Sequence, residues 1–122
     1  MQGKKEYQEK LFMNFQLSDH VPKDNFYRLL KEALDLRFLY SETTDYYGDC
    51  GQKSVDVVVF FKLCLVGYLE NIISDRQLIK HSSMRMDILY FLDYDIDEAL
   101  PWQSTISRTR QLFPEQVFEE VL

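Results

Sequence analysis

Arginine and glutamine side chains match the hydrogen-bonding edges of guanine and adenine. Serine or threonine at a helix start adds exposed amides that favour phosphate. The chain gathers these types in Gln103-Ser104-Thr105-Ile106-Ser107-Arg108-Thr109-Arg110. At the helical step of about 100° per residue, Ile106, Thr109, Leu112 and Phe113 fall on one side, and Ser104, Ser107, Arg108 and Gln111 fall opposite. That is the layout of a short recognition helix capped by Ser104 or Thr105, with Gln103 at its head. It points to double-stranded DNA. It is also the layout of an amphipathic surface helix with no partner at all. Arg110 falls nearer the apolar edge. Upstream, Arg76 and Lys80 stand four residues apart and share a helix face, and Arg85 follows. All three could position the phosphates of the same duplex, or form an ordinary solvated face. Trp102, beside Pro101, reads as an anchor packing its loop onto the body, with base stacking as the alternative.

Other chemistries find less support. Asp93-Tyr94-Asp95-Ile96-Asp97-Glu98 resembles a calcium loop only in its acidity. Such a loop needs glycine sixth and glutamate twelfth, where this chain has Glu98 and Ser104. His20 and His81 have no cysteine or paired carboxylate at ligand spacing. No nucleophile elbow, phosphate loop or catalytic pairing is present. No cofactor is therefore expected for this piece.

These side chains must be held by helices. Asp24 reads as the cap of a first helix over 25–40, with Phe26, Leu29, Leu30, Ala33, Leu34 and Phe38 at helical spacing. Before it, an arm over 1–23 is irregular, pinned by Phe12, Phe15, Leu17 and Val21. A loop with Gly48 and Gly51 follows the first helix. Residues 55–73 are apolar on nearly every side; Asp56 offers a cap, and a helix apolar all round belongs in the centre of a bundle. The run Val57-Val58-Val59-Phe60-Phe61 alone would also suit a buried strand. Ser74-Asp75-Arg76-Gln77 is a capping-box pattern opening a helix to His81. Ser83 reads as the cap of the next, over 84–91. A loop over 93–102 precedes the recognition stretch, which runs to Phe113; Pro114 stops it and opens a last helix over 115–122. The expected fold is all-α: a compact bundle of five or six helices with a helix-turn-helix-like half over 74–113. It is one domain, with 24–73 as core and 114–122 beginning a connecting helix.

Composition bounds the reading. With 122 residues, 46% hydrophobic and 15% aromatic, the chain can bury one real core. Its net charge of −6 opposes general attraction to nucleic acid or anionic membrane. Between Ser74 and Leu112 there are five basic and six acidic residues, so a DNA site must be a local patch with the acids turned away. Cys50 and Cys64 make no disulfide framework; Cys64, in an apolar run, reads as a buried thiol of a reducing cytoplasm. No signal-peptide core follows Met1, and the apolar run is interrupted by Asp56 and Lys62 and is too short for a membrane span.

The chain resembles the N-terminal domain of bacterial insertion-sequence transposases, often described only as a transposase domain of unknown function or as InsH-like. The likeness rests on Val21-Pro22-x-Asp24-Asn25-Phe26-Tyr27-Arg28-Leu29-Leu30 and Ser54-Val55-Asp56-Val57-Val58-Val59-Phe60-Phe61-Lys62-Leu63. It continues through Gly67-Tyr68-Leu69, Ser74-Asp75-Arg76-Gln77-Leu78-Ile79, Arg85-x-Asp87 and Tyr90-Phe91-Leu92-x-Tyr94-Asp95. It ends on Leu100-Pro101-Trp102-Gln103-Ser104-Thr105-Ile106-Ser107-Arg108-Thr109-Arg110. Such domains commonly have histidine where this chain has Gln103. The resemblance implies a helical, non-catalytic domain that helps bind the element's terminal inverted repeats in the bacterial cytoplasm, at the nucleoid, and that helps pair two protomers. It also implies an RNase H-like domain with a DDE triad and Mg²⁺ beyond this piece, so none of the acids here belongs to the triad. A module for dimerisation, or for docking on the catalytic domain, is the alternative.

Overall fold

The computed structural model describes residues 2–47 and 55–121. Among these the fold is all-α, with eight helices: α1 Leu17–His20, α2 Phe26–Ala33, α3 Phe38–Glu42, α4 Val57–Leu69, α5 Asp75–Ser83, α6 Met86–Leu92, α7 Gln103–Arg110 and α8 Glu115–Val121. A single 3-10 turn, Thr44–Tyr46, follows α3. The bundle is compact, as expected, but built from more and shorter helices than the expected five or six. Gly48, Cys50 and Gly51, expected in a loop, lie outside the described residues.

α4 is the axis. The Asp56 carboxylate accepts from the amides of Val58 and Val59 and caps it, as its position predicts. Val57, Phe60, Phe61, Leu63, Cys64 and Val66 are all buried. Around it, Phe113 and Phe118 fold back onto Phe60 and Phe61, with Phe61 and Phe118 ring centres 5.1 Å apart. Lys62, which interrupts the apolar run, is only 8% exposed and donates from Nζ to the carbonyl of Phe91 at 2.8 Å. Lys31 on α2 donates to the carbonyl of Tyr90 at 2.9 Å. Both ammonium groups meet Asp93, at 3.5 and 2.7 Å. Two cations thus satisfy the bare carbonyls at the C-terminus of α6. Asp93 closes the helix there with φ 62°.

The first expected helix breaks in two. The Asp35 carboxylate accepts from the backbone amide of Arg37 at 3.1 Å and grips its guanidinium. A side chain that takes the amide two residues on offers the backbone a turn in place of helix. Asn25 caps α2 instead of Asp24. Its Oδ1 accepts from Tyr27 and Arg28 amides while its Nδ2 donates to Asp87 on α6, 3.1 Å away. An amide can do both; a carboxylate cannot. Ser83 does not cap α6: it ends α5, and its hydroxyl donates back to the carbonyl of Lys80. In the arm, Leu17 and Val21 are buried and Phe15 stacks on His20, but Phe12 is 91% exposed and pins nothing.

Candidate nucleic-acid interface

The surface in question is made where α7 lies against α5. The Ser74 hydroxyl accepts from the amide of Gln77 at 3.4 Å and starts α5, so the next residue, Asp75, points across to α7. One Asp75 oxygen accepts from Arg110 Nη2 at 2.6 Å and the other from Ser107 Oγ at 2.8 Å. Arg110 also lies 3.7 Å from Cys64 Sγ and over the Phe60 ring. It therefore joins α7 to both α5 and the core. Burial pushes the Cys64 thiol up to about 11, so it is an inert packing group.

α7 begins at Gln103, one residue earlier than the expected Ser104 or Thr105 cap. Trp102 occupies the cap position and supplies no side-chain bond to the helix. The first amides of such a helix have no intrahelical partner. The helix stops at Arg110, where tight bonds from Gln111 to Arg108 and from Leu112 to Thr109 turn the chain inward. Ile106, Thr109 and Phe113 are buried, as their spacing predicts; Leu112 is 42% exposed. Ser104, Arg108 and Gln111 are exposed on the outer face. Among the described residues, the Arg108 guanidinium hydrogen-bonds only to Thr105, at 3.5 Å. Ser107 is exposed too, but its hydroxyl is already given to Asp75.

Beside this face runs a groove of about 580 Å³ lined by Arg76, Ile79, Lys80, Leu100, Trp102 and Gln103, with Ala99 and Pro101. Three residues expected to act together, Arg76, Lys80 and Gln103, meet here. Trp102 is 80% exposed. This corrects its reading as an anchor: the indole faces solvent, and Leu100 holds the loop against the core.

Arg85 is not brought to this surface. It sits on the side of α5 marked by His81, where it bonds Asp87 through two nitrogens at 2.9 and 2.8 Å and Glu70 at 2.9 Å. His81 Nε2 bonds the same Glu70 oxygen at 2.9 Å. The bond to His81 leads the causes that hold the Glu70 carboxyl below its ordinary value. Burial works against ionisation of Asp87, yet bonds from Arg85 and Asn25 outweigh it and its pKa is lowered. Asp87 in turn raises that of Arg85. A phosphate would have to displace two carboxylates to reach this guanidinium, so Arg85 is a fold residue by its contacts.

The pairing meets half of the charge objection: three of the six acids between Ser74 and Leu112 are neutralised, while Asp95, Asp97 and Glu98 meet no cation among the described residues. Among the described residues, Asp75 is neutralised by Arg110, Asp87 by Arg85 and Asp93 by Lys31. Arg76, Lys80 and Arg108 meet no carboxylate there. The residue that sequence reasoning missed is Asp75. Its capping-box position was visible, but its partner stands 35 residues away. Among the described residues no group of three His, Cys, Asp or Glu side chains could hold a metal ion. No helix among them is long and apolar enough to cross a membrane.

No curated protein and no solved structure matches the chain. A family model does, over residues 15–112, which takes in every helix from α1 to α7 and all of the surface just described. The chain belongs to the family of that model, Transposase domain (DUF772).

Proposed function

We propose that this domain binds double-stranded DNA, the terminal inverted repeats of an insertion element, as a non-catalytic part of a transposase. The observation that carries the reading is the sorting of charge. In an acidic chain, the cations between Ser74 and Leu112 that meet no carboxylate among the described residues are Arg76, Lys80 and Arg108, and these belong to the two packed helices α5 and α7. Arg108, Gln111 and Ser104 would face the groove, and the uncapped first turn of α7 favours a phosphate. Arg76 and Lys80 would position the backbone. α5, α6 and α7 would act as the helix-turn-helix-like unit, although ten residues, 93–102, separate α6 from α7, far more than the usual tight turn. Strand-transfer chemistry, with Mg²⁺ on a carboxylate triad, is assigned to another domain of the parent protein, acting at the nucleoid.

The test is fluorescence anisotropy on labelled terminal-repeat duplexes and scrambled controls across a salt series. Arg108→Gln should lower the preference for the repeats. Lys80→Gln should weaken all duplexes alike and reduce the salt slope by about one unit. Equal loss on every sequence from Arg108→Gln would remove its reading role. No binding at low salt would favour a second reading, a docking module for a second protomer or the catalytic domain. Leu11 and Phe12 in the arm, 94% and 91% exposed, favour that reading.

A further inference from the structure

The groove beside α7 does more than a duplex backbone requires. A phosphate needs cations and donors, not an indole. Trp102 is 80% exposed at the mouth of this groove. Its lining includes the apolar Ile79, Leu100 and Pro101, and Arg76 and Lys80 stand one helical turn apart on α5. Gln103 adds an amide that can donate and accept. A flat ring with polar edges and a charged backbone on either side fits each of these parts. A base inside a duplex has both faces covered by its neighbours. Away from a duplex end, only an unpaired base can lay its face on an indole.

We propose that this groove receives a single unpaired nucleobase of a DNA strand, its face on Trp102, its edge at Gln103 and its flanking phosphates on Arg76 and Lys80. The inference rests on the DNA-binding reading and adds a preference to it: DNA with a displaced or unpaired base is favoured over fully paired DNA.

The chain has one tryptophan and eight tyrosines, so fluorescence excited at the red edge, where tyrosine does not absorb, reports the indole of this groove. The intact chain is titrated with a fully paired duplex, the same duplex carrying one unpaired thymine, a single-stranded thymidine oligomer and free thymidine monophosphate. Indole quenching and anisotropy of labelled DNA are read together. Stacking of one base should tighten binding of the unpaired-thymine duplex about tenfold over the paired one, about 1.4 kcal/mol, with quenching. Trp102→Ala should reduce that ratio to about one and leave the paired duplex bound; Trp102→Phe should restore part of it. An exposed side chain is replaced in both, so circular dichroism and the unfolding midpoint should not move. If the paired duplex binds while the unpaired base adds nothing and the indole is unquenched, the groove inference is overturned and the duplex reading stands. If the oligomer quenches the indole but no duplex binds, the duplex reading is overturned and the base site stands. Quenching by the free monophosphate at the same concentration as by the oligomer would assign the groove to a free nucleotide and overturn its assignment to a strand. No quenching by any of the four overturns the inference outright.

Discussion

Replacing Asp75 with alanine should cost about 2 kcal/mol of stability. Asp75 accepts two hydrogen bonds, from Arg110 at 2.6 Å and from Ser107 at 2.8 Å. Bonds to an ionised acceptor contribute about 1.5–3 kcal/mol each when shielded from water. The Asp75 side chain is 16% exposed, but the Arg110 side chain is 41% exposed, so solvent screening takes the ion-pair share to the low end. For a domain of this size, about 2 kcal/mol lowers the melting temperature by roughly 6–10 °C. A urea titration of Asp75→Ala, Arg110→Ala and the double variant measures the coupling directly, expected at about 1 kcal/mol or more. The same variants separate two views of the surface. If only net charge mattered, losing an acid beside Arg76 would tighten every duplex. If Asp75 fixes α7 against α5, the preference for repeat over scrambled DNA should fall even as general affinity rises. A midpoint shift worth less than about 0.5 kcal/mol, with coupling near zero, would refute the view of Asp75 as the joint.

Acid should unfold the domain through a defined set of carboxylates. Glu70, Asp87 and Asp93 all have lowered pKa values; the bond to His81 leads for Glu70, while for the other two burial opposes ionisation and their cationic partners prevail. Lowered native values mean that the stability they contribute is full above the ordinary carboxylate range near pH 4 and is lost as pH falls through the native values. Urea midpoints measured from pH 6 to pH 2.5 should decline from about pH 4 downward, and a flat profile would contradict the assignment. Lys62→Met keeps the volume but strands the carbonyl of Phe91; the loss should be about 1–3 kcal/mol by urea unfolding, and an unchanged midpoint would show that the clamp on α6 is dispensable.

What the sequence made legible was whatever depends on neighbours in the chain. The Asp56 cap, the all-apolar α4, the Ser74 start of α5 and the opening of α8 after Pro114 are local signals, and each has its expected place, whereas α7 ends at Arg110, short of the expected stop at Pro114. The buried stripe Ile106, Thr109 and Phe113 was likewise fixed by helical spacing. What was not legible depends on distant partners. Asn25 wins the cap over Asp24 because Asp87, 62 residues on, needs a donor. Arg76 and Arg85 look alike in sequence, yet one stands open at a groove and the other is held by Glu70 and Asp87. The outward indole of Trp102 had no sequence signal, since an aromatic beside proline suits an anchor as well as a platform. The break at Asp35 was local and readable, but the apolar spacing that continues through Leu36 and Phe38 hides it.

The loop over 93–102 begins at a fastening that does not concern α7. Lys31 and Lys62 fix its first residue to the body, while its last residues form one wall of the Trp102 groove. Insertions or deletions between these points would leave the packing of α6 untouched and move the indole. Relatives could therefore retune what this surface accepts by changing the length of one strap, with the helical body inherited intact.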